Sequence, residues 1–341
     1  MEMEIVDIRH FGARDFLPVL AAESSAWASI LRWDYTSSAR LISACLAEKR
    51  LSGYALLSQG QIHGYSFFVY EGTKGLIGDL FMQPNGSARQ QAVLLLDHVI
   101  ETLKATPGLT RIEAQLPHFS FQDLYACFRQ HHFETYPRRF MALRLRDRAI
   151  HEPDSTASQT TTGVQERFIF KEFLIAPWQR KHDQAAARLL AEVYRDHVDA
   201  AINDQYKSLS GSARLIENIV HLRGCGENLE EASVVAIHRP TGRVAGILAL
   251  TAVRSLTAHI PQIAVASAFQ RGGLGVAMLA FSFRELDRLG FEEVSLTVTD
   301  QNASAVRFYE RLGFETFHAF GAFVWDRTTE KALSSFQKSI T

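Results

Sequence analysis

The stretch Ile263-Ala-Val-Ala-Ser-Ala-Phe-Gln-Arg-Gly-Gly-Leu-Gly-Val-Ala-Met278 decides how this chain is read. An apolar, strand-like run enters a glycine-rich turn, and an amphipathic helical pattern leaves it. Gly272, Gly273 and Gly275 let backbone N–H groups approach a ligand with no Cβ in the way. The start of the next helix adds the positive end of its dipole, so the unit is suited to cradling a pyrophosphate. Two common phosphate loops are excluded by the residues after the glycines. A Walker loop needs Gly-Lys-Ser/Thr, yet Gly275 precedes Val276 and Ala277; a dinucleotide fingerprint needs a third glycine, yet Gly273-Leu-Gly275 runs into Val-Ala-Met278. The ligand is therefore expected to carry a nucleotide that is neither ATP nor NAD.

Working outward, the elements around this unit occur twice. Strand pairs are expected at 233–238 and 244–253, around the turn Arg239-Pro-Thr-Gly242, and at 54–57 and 64–70, around Gln59-Gly-Gln61. A strand running into a long amphipathic helix comes next in each half, at 76–82 with 91–104 and at 260–266 with 274–289. Further strands are expected at 111–116 and 293–299. A shorter helix then leads to His132-Phe-Glu-Thr135 in one half and Gly313-Phe-Glu-Thr316 in the other, each before an aromatic-rich strand. The repeat spacing of about 180 residues points to a duplicated domain.

Length and composition agree with two cores. The chain has 341 residues, 47% hydrophobic and 21% charged, as in ordinary globular proteins. Between Asp147 and Gln165 apolar periodicity disappears, which marks a linker. A formal net charge of -1 supplies no field for nucleic acid or an anionic membrane. Cys45, Cys127 and Cys225 form no CxxC pair, so neither a disulfide framework nor a zinc site is expected. The acidic start Met-Glu-Met-Glu and the lack of an apolar run of about 18 residues predict a cytoplasmic protein.

Gln270-Arg271-Gly272-Gly273-Leu274-Gly275 resembles the Gln/Arg-x-x-Gly-x-Gly/Ala turn of the GNAT superfamily of N-acetyltransferases. Asn302-Ala-Ser-Ala-Val-Arg-Phe-Tyr-Glu-Arg-Leu-Gly-Phe314 resembles that family's later helix and closing strand. The resemblance covers roughly 168–326, and the paired layout is similar to that of tandem members such as mycothiol synthase. It implies an α/β fold of the α+β type, with two tandem GNAT-like domains, each a mixed, mostly antiparallel sheet flanked by helices. The expected boundaries are 1–146 for a degenerate N-terminal domain, 147–166 for the linker and 167–341 for the catalytic domain.

The resemblance also implies an activity: acyl-CoA-dependent N-acyl transfer, with acetyl-CoA as co-substrate, no metal, and a primary amine of a small molecule or peptide as acceptor. A homodimer is one assembly it allows. Ile263, Ala264 and Val265 are expected to splay from the neighbouring strand and pair with the pantetheine, the Val265 N–H facing the thioester oxygen. Gln270, Arg271, Gly272, Gly273, Leu274, Gly275 and Val276 are expected at the pyrophosphate, Asn302 at the CoA arm, and Tyr309 beside the sulfur as general acid. Read by residue type alone, Tyr309 could be core, Asn302 a helix N-cap and Arg271 a solvated side chain. Many relatives have a glutamate where this chain has Gln262, which cannot titrate, and His259 is the nearest titratable neighbour on that strand; the base stays unassigned. A non-catalytic CoA-binding regulatory module is the rival reading.

The N-terminal half departs from the pattern. Asn85-Gly-Ser-Ala-Arg-Gln-Gln91 retains only Gly86 at the turn, and aligning the Phe-Glu-Thr phrases sets Phe128 opposite Tyr309 and Phe121 opposite Asn302. It is read as a catalytically silent copy. The resemblance implies an acceptor bound partly through the segment joining the first two helices, which includes Asp196, Asp199, Asp204 and Tyr206; the carboxylates suit a cationic amine, and a solvated acidic helix end is the alternative reading. The aromatic stretch Trp27 to Trp33 is read as core.

Overall fold

The computed structural model describes residues 3–149, 168–222 and 225–328. The expected linker, 147–166, falls almost wholly outside them. Two units divide the chain: one holds the residues up to Arg138 together with those from His318 onward, the other Arg139–Phe317.

In the first unit, β1 (Met3–Asp7) leads through α1 (Ala13–Ala26) and α2 (Thr36–Ala47) to β2 (Ser52–Ser58), β3 (Gln61–Glu71) and β4 (Lys74–Met82). Then come α3 (Ala88–Ala105), β5 (Arg111–Gln115), α4 (Phe121–Gln130) and β6 (Glu134–Arg144), whose last residues belong to the second unit. β1 to β4 are antiparallel neighbours in chain order, and β4 pairs β5 in parallel. α3 buries Ala92, Leu95, Leu96, Val99, Ile100 and Leu103, a helical stripe that the sheet covers. Each larger side chain among them contributes about 1.5–3 kcal/mol on burial.

The second unit opens with β7 (Phe168–Phe170) and β8 (Phe173–Pro177), then α5 (Asp183–Val193), α6 (Val198–Ile202) and α7 (Leu209–Ile216). β9 (Glu227–Asn228), β10 (Val234–His238), β11 (Arg243–Arg254) and β12 (Thr257–Val265) come after them. The run ends with α8 (Leu274–Arg288), β13 (Glu293–Thr299), α9 (Ala303–Arg311) and β14 (Glu315–Asp326). β8, β10, β11 and β12 are antiparallel, with β13 parallel to β12. One face of the sheet packs Leu248, Leu250 and Met278, the other Ile247, Ala249 and Leu190. The alternation along β11 is what a sheet with helices on both faces requires. Each unit is thus a mixed, mostly antiparallel sheet between helices.

The closing strands depart from simple tandem order. Residues 318–326 of β14 lie in the first unit, where Ala322 to Asp326 pair with β5 and Phe323 and Trp325 are buried in its core. Met141, Leu143 and Leu145 are in turn buried in the core of the second unit.

Candidate active site

The second unit has an opening in its sheet. β12 and β13 pair in parallel from Thr257↔Glu293 to Ile260↔Leu296 and then separate, although they run on to Val265 and Thr299. The Ala266 N–H bonds the Ala245 carbonyl at 2.8 Å, so Ala264 and Ala266 direct their backbone groups to β11. By strand alternation the N–H groups of Ile263 and Val265 point into the opening. Their carbonyls are taken by side chains: Ile263 O accepts from the Tyr194 hydroxyl at 3.2 Å, and Val265 O from the Gln270 amide at 3.0 Å. Gln270 therefore ties the turn to the strand.

At the end of this strand the turn enters α8 through Arg271 and Gly273, with φ of 61° and 90°. Gly273 is the N-cap in the left-handed region and offers no side-chain cap, so the first N–H groups of α8 have no intrahelical or capping acceptor. Gly272 and Gly275 are not there to relieve crowding. A Cβ on Gly275 would meet nothing closer than 3.9 Å, and one on Gly272 only the Phe269 carbonyl at 3.6 Å. Gly246, by contrast, would clash with the Met278 sulfur at 2.7 Å. The space beside these two turn glycines is open, as a cradle for a ligand requires. Leu274 is buried and Val276 half-buried in the first turn of the helix. The Arg271 side chain makes no ion pair among the described residues.

Tyr309 projects from α9 and is 7% exposed. Its hydroxyl has no hydrogen-bond partner among the described residues. Burial, with a smaller contribution from the Asp199 carboxylate, raises the phenol well above its ordinary pKa, so it stays protonated. Asn302 fills the bland role foreseen for it: its Oδ1 caps α9 by accepting from the Ala305 N–H at 3.2 Å. Its amide nitrogen also lies 3.0 Å from His197 Nε2.

His197 and Lys171 are the residues that sequence reading missed. His197 caps α6, with Nδ1 3.2 Å from the Asp199 N–H and 3.5 Å from the Asp199 carboxylate. Asp199 accepts from the Thr299 hydroxyl at 2.6 Å. His197 stands between Asp196 and Asp199, so the acceptor segment contained it, but no spacing singled it out. Lys171, in the turn between β7 and β8, donates to the Gly272 carbonyl at 3.0 Å and brings an ammonium to the glycine turn from about 100 residues away. Nothing local signals that.

The remaining candidates separate. Gln262 is buried, accepts from Tyr206 at 2.7 Å and donates to Tyr194 at 2.8 Å, and those two rings stack at 4.4 Å. Burial holds the Tyr194 hydroxyl protonated, with Tyr206 as the next cause. His259 is buried and bonded to Ser295 at 2.9 Å, a core histidine. Asp196 is exposed, and Asp204 opens a short 3-10 turn, Asp204–Lys207.

In the first unit the equivalent turn differs chemically. Asn85 Oδ1 accepts from the Ser87 N–H at 2.7 Å, so a side chain already takes one donor there. Phe128 stacks on Phe323 at 3.8 Å with no hydroxyl to offer. Ser120, not Phe121, caps α4, because that helix has one residue more than α9.

Residues 192–314 match the model of the acetyltransferase (GNAT) family, a span that contains the opening, the turn and Tyr309. They form a GNAT domain. The fold of the whole chain is that of tandem GNAT proteins. A tandem GNAT protein from the clavulanic acid biosynthesis pathway superposes with a TM-score of 0.60 at 15% identity, covering 96% of this chain and 99% of that one. A GCN5-related N-acetyltransferase from Sphaerobacter thermophilus gives 0.63 at 13% identity, with 95% and 96% covered. A glucosamine N-acetyltransferase region of a fungal multi-domain β-N-acetylglucosaminidase gives 0.62 at 15%, over 95% of this chain and 38% of that one. At these identities the likeness is one of fold. No curated protein sequence matches the chain significantly. Among the described residues no helix is long and apolar enough to cross a membrane.

Proposed function

We propose that this protein is an acyl-CoA-dependent N-acyltransferase, with acetyl-CoA as donor and a primary amine of a small molecule or peptide as acceptor, acting within Arg139–Phe317. The observation that carries the reading is the opening of β12 from β13 beyond Ile260 and Leu296, with a glycine turn at its end. When bound, acetyl-CoA supplies a thioester carbonyl that an amine can attack, forming the C–N bond as the C–S bond breaks.

The roles of this chain's residues derive from their placement. The Val265 N–H faces the opening, where a carbonyl oxygen gaining charge needs a donor. The N–H groups at the start of α8 and the Arg271 guanidinium suit a pyrophosphate. Tyr309, kept protonated by burial, donates its hydroxyl hydrogen bond to a sulfur gaining negative charge. Gln262 carries no charge and is already bonded to two phenols, so it orients the acceptor wall formed by Tyr194 and Tyr206 and takes no proton. The acceptor has to arrive as the neutral amine. Three unpaired cysteines suit a reducing compartment.

That same bonding of Gln262 favours a second reading, a CoA-binding module that does not turn over. Calorimetric titration with acetyl-CoA, then an amine-library screen for released thiol, separates the two. One equivalent bound with thiol released supports the transferase. One equivalent bound with no thiol released supports the module, and no binding refutes both.

A further inference from the structure

The first unit contains a buried polar cluster that acyl transfer in the second unit does not use. Glu23 from α1, Asp79 from β4 and His118 from the segment after β5 offer three donor atoms that lie within 4.8 Å of one another. All three are walled off from water: Glu23 is 0% exposed, Asp79 3%, and the His118 side chain 4%. Their bonding is lopsided. Glu23 Oε2 accepts from the Tyr65 hydroxyl at 2.6 Å, while Asp79 accepts from the Tyr35 hydroxyl at 2.9 Å and the Leu80 N–H at 2.8 Å. Glu23 Oε1 and both ring nitrogens of His118 have no hydrogen-bond partner among the described residues. The Glu23 Oε1 to His118 Nε2 separation of 3.7 Å is too long for a hydrogen bond.

Unpaired buried polar atoms are costly, and more so when charged. Glu23 Oε1 and one His118 nitrogen lie together beside the Asp79 carboxylate, and that grouping calls for a positive centre. A proton shared by the two carboxylates would leave His118 unsatisfied. One metal ion would bind Glu23, Asp79 and a His118 nitrogen together, because donors about 2.0–2.2 Å from an ion lie roughly 3–4 Å from each other. Two carboxylates with one imidazole suit zinc, manganese or iron(II), rather than calcium with its all-oxygen shell or copper(I) with its soft ligands. Tyr35 and Tyr65 would orient the carboxylates from outside, as supporting residues do at metal sites.

We propose that Glu23, Asp79 and His118 form a divalent transition-metal site that ties α1, β4 and the segment after β5 together. The site needs neither CoA nor the second unit's chemistry. The other group of metal-binding side chains, Asp97, Cys127 and His131, is a weaker candidate, because His131 Nε2 and Asp97 already satisfy each other at 2.5 Å.

Cobalt(II) titration of the chelator-stripped full chain tests this, since cobalt reports its ligands by visible absorption. The expected result is d–d bands that saturate at one equivalent, without the near-ultraviolet band of a thiolate ligand. Zinc should displace the cobalt, and metal should raise the melting temperature. His118→Asn and Glu23→Gln should abolish the bands, while Cys127→Ser should leave them. Absent bands, or bands with thiolate character that vanish in Cys127→Ser, would overturn the proposal. The unmutated chain decides the matter even if a variant fails to fold.

Discussion

Replacing Gly275 by alanine should stabilise the protein and leave CoA binding intact, since alanine also fits the last position of the Gln/Arg-x-x-Gly-x-Gly/Ala turn, whereas replacing it by leucine should impair CoA binding. Gly275 is the second residue of α8, and a Cβ placed there stands 3.9 Å from Phe308 and Val265, in ordinary contact. Glycine within a helix costs about 0.5–1 kcal/mol relative to alanine, through its extra freedom in the unfolded chain. For a unit of this size that gain corresponds to a rise of about 1–4 °C in melting temperature. The larger side chain of Gly275→Leu would project where a phosphate has to approach the first N–H groups of the helix. Losing one charge-assisted hydrogen bond, about 1.5–3 kcal/mol, weakens acetyl-CoA binding by roughly 10- to 150-fold. Differential scanning calorimetry without ligand and isothermal titration with acetyl-CoA measure the two effects separately. An affinity of Gly275→Leu within twofold of the parent would refute the idea that the missing side chain serves a phosphate.

Tyr309→Phe removes a hydroxyl that has no partner among the described residues, so melting temperature and acetyl-CoA affinity should stay within error while turnover falls roughly 10- to 150-fold; an unchanged rate in a thiol-release assay contradicts the donor role. With CoA assigned by the proposal to the second unit, Gly86→Val should leave acetyl-CoA stoichiometry unchanged in calorimetry: a Cβ at Gly86 meets no atom within 4 Å, so the fold is kept, and Asn85 already takes a backbone donor at that turn. Burial, with the Asp79 carboxylate second, raises Glu23 above its ordinary value of 4.5, so the metal-free native state holds a proton that the unfolded chain releases. The contribution of Glu23 to stability should then be complete below about pH 4.5 and be lost as pH rises toward its folded value of about 10, by up to about 1.4 kcal/mol per unit; denaturant melts should show Glu23→Gln flattening that part of the pH dependence.

Local signals in the sequence located most elements. β13 has the bounds that its apolar run predicts, and α8 begins at Leu274 because Gly273 holds a left-handed conformation that interrupts any helix before it. The glycine turn was legible for the same reason: its physics lies within about ten residues. The illegible features depend on contacts distant in sequence. Residues 318–326 read as an aromatic closing strand, but nothing in them says that Phe323 and Trp325 complete the core of the first unit. His197 meets Asn302 across 105 positions, and Lys171 meets Gly272 across 101. Glu23, Asp79 and His118 lie on three separate segments, with none of the regular spacings that mark a metal motif.

Registers place Asp79 and Gln262 at equivalent points. Parallel pairing ends at Ile77↔Ala114 in the first unit and at Ile260↔Leu296 in the second, and each residue lies two positions further along its strand. Two tyrosines stand at both places, but differently: Tyr194 and Tyr206 both bond Gln262, whereas Tyr35 bonds Asp79 and Tyr65 bonds Glu23 beside it. The second unit has a neutral amide there, which two phenols can satisfy by one bond accepted and one donated. The first has a carboxylate beside a second carboxylate, and two phenols can only donate to that pair. The excess negative charge must be met by a proton or a cation. The same difference makes the two halves chemically unlike: one joins an open glycine turn to a neutral amide held between two phenols, and the other joins a turn already bonded by Asn85 to a buried pair of carboxylates. On the two proposals made above, charge at this one strand position, together with the glycines at the turn, would separate a half that exchanges ligands from a half that retains one.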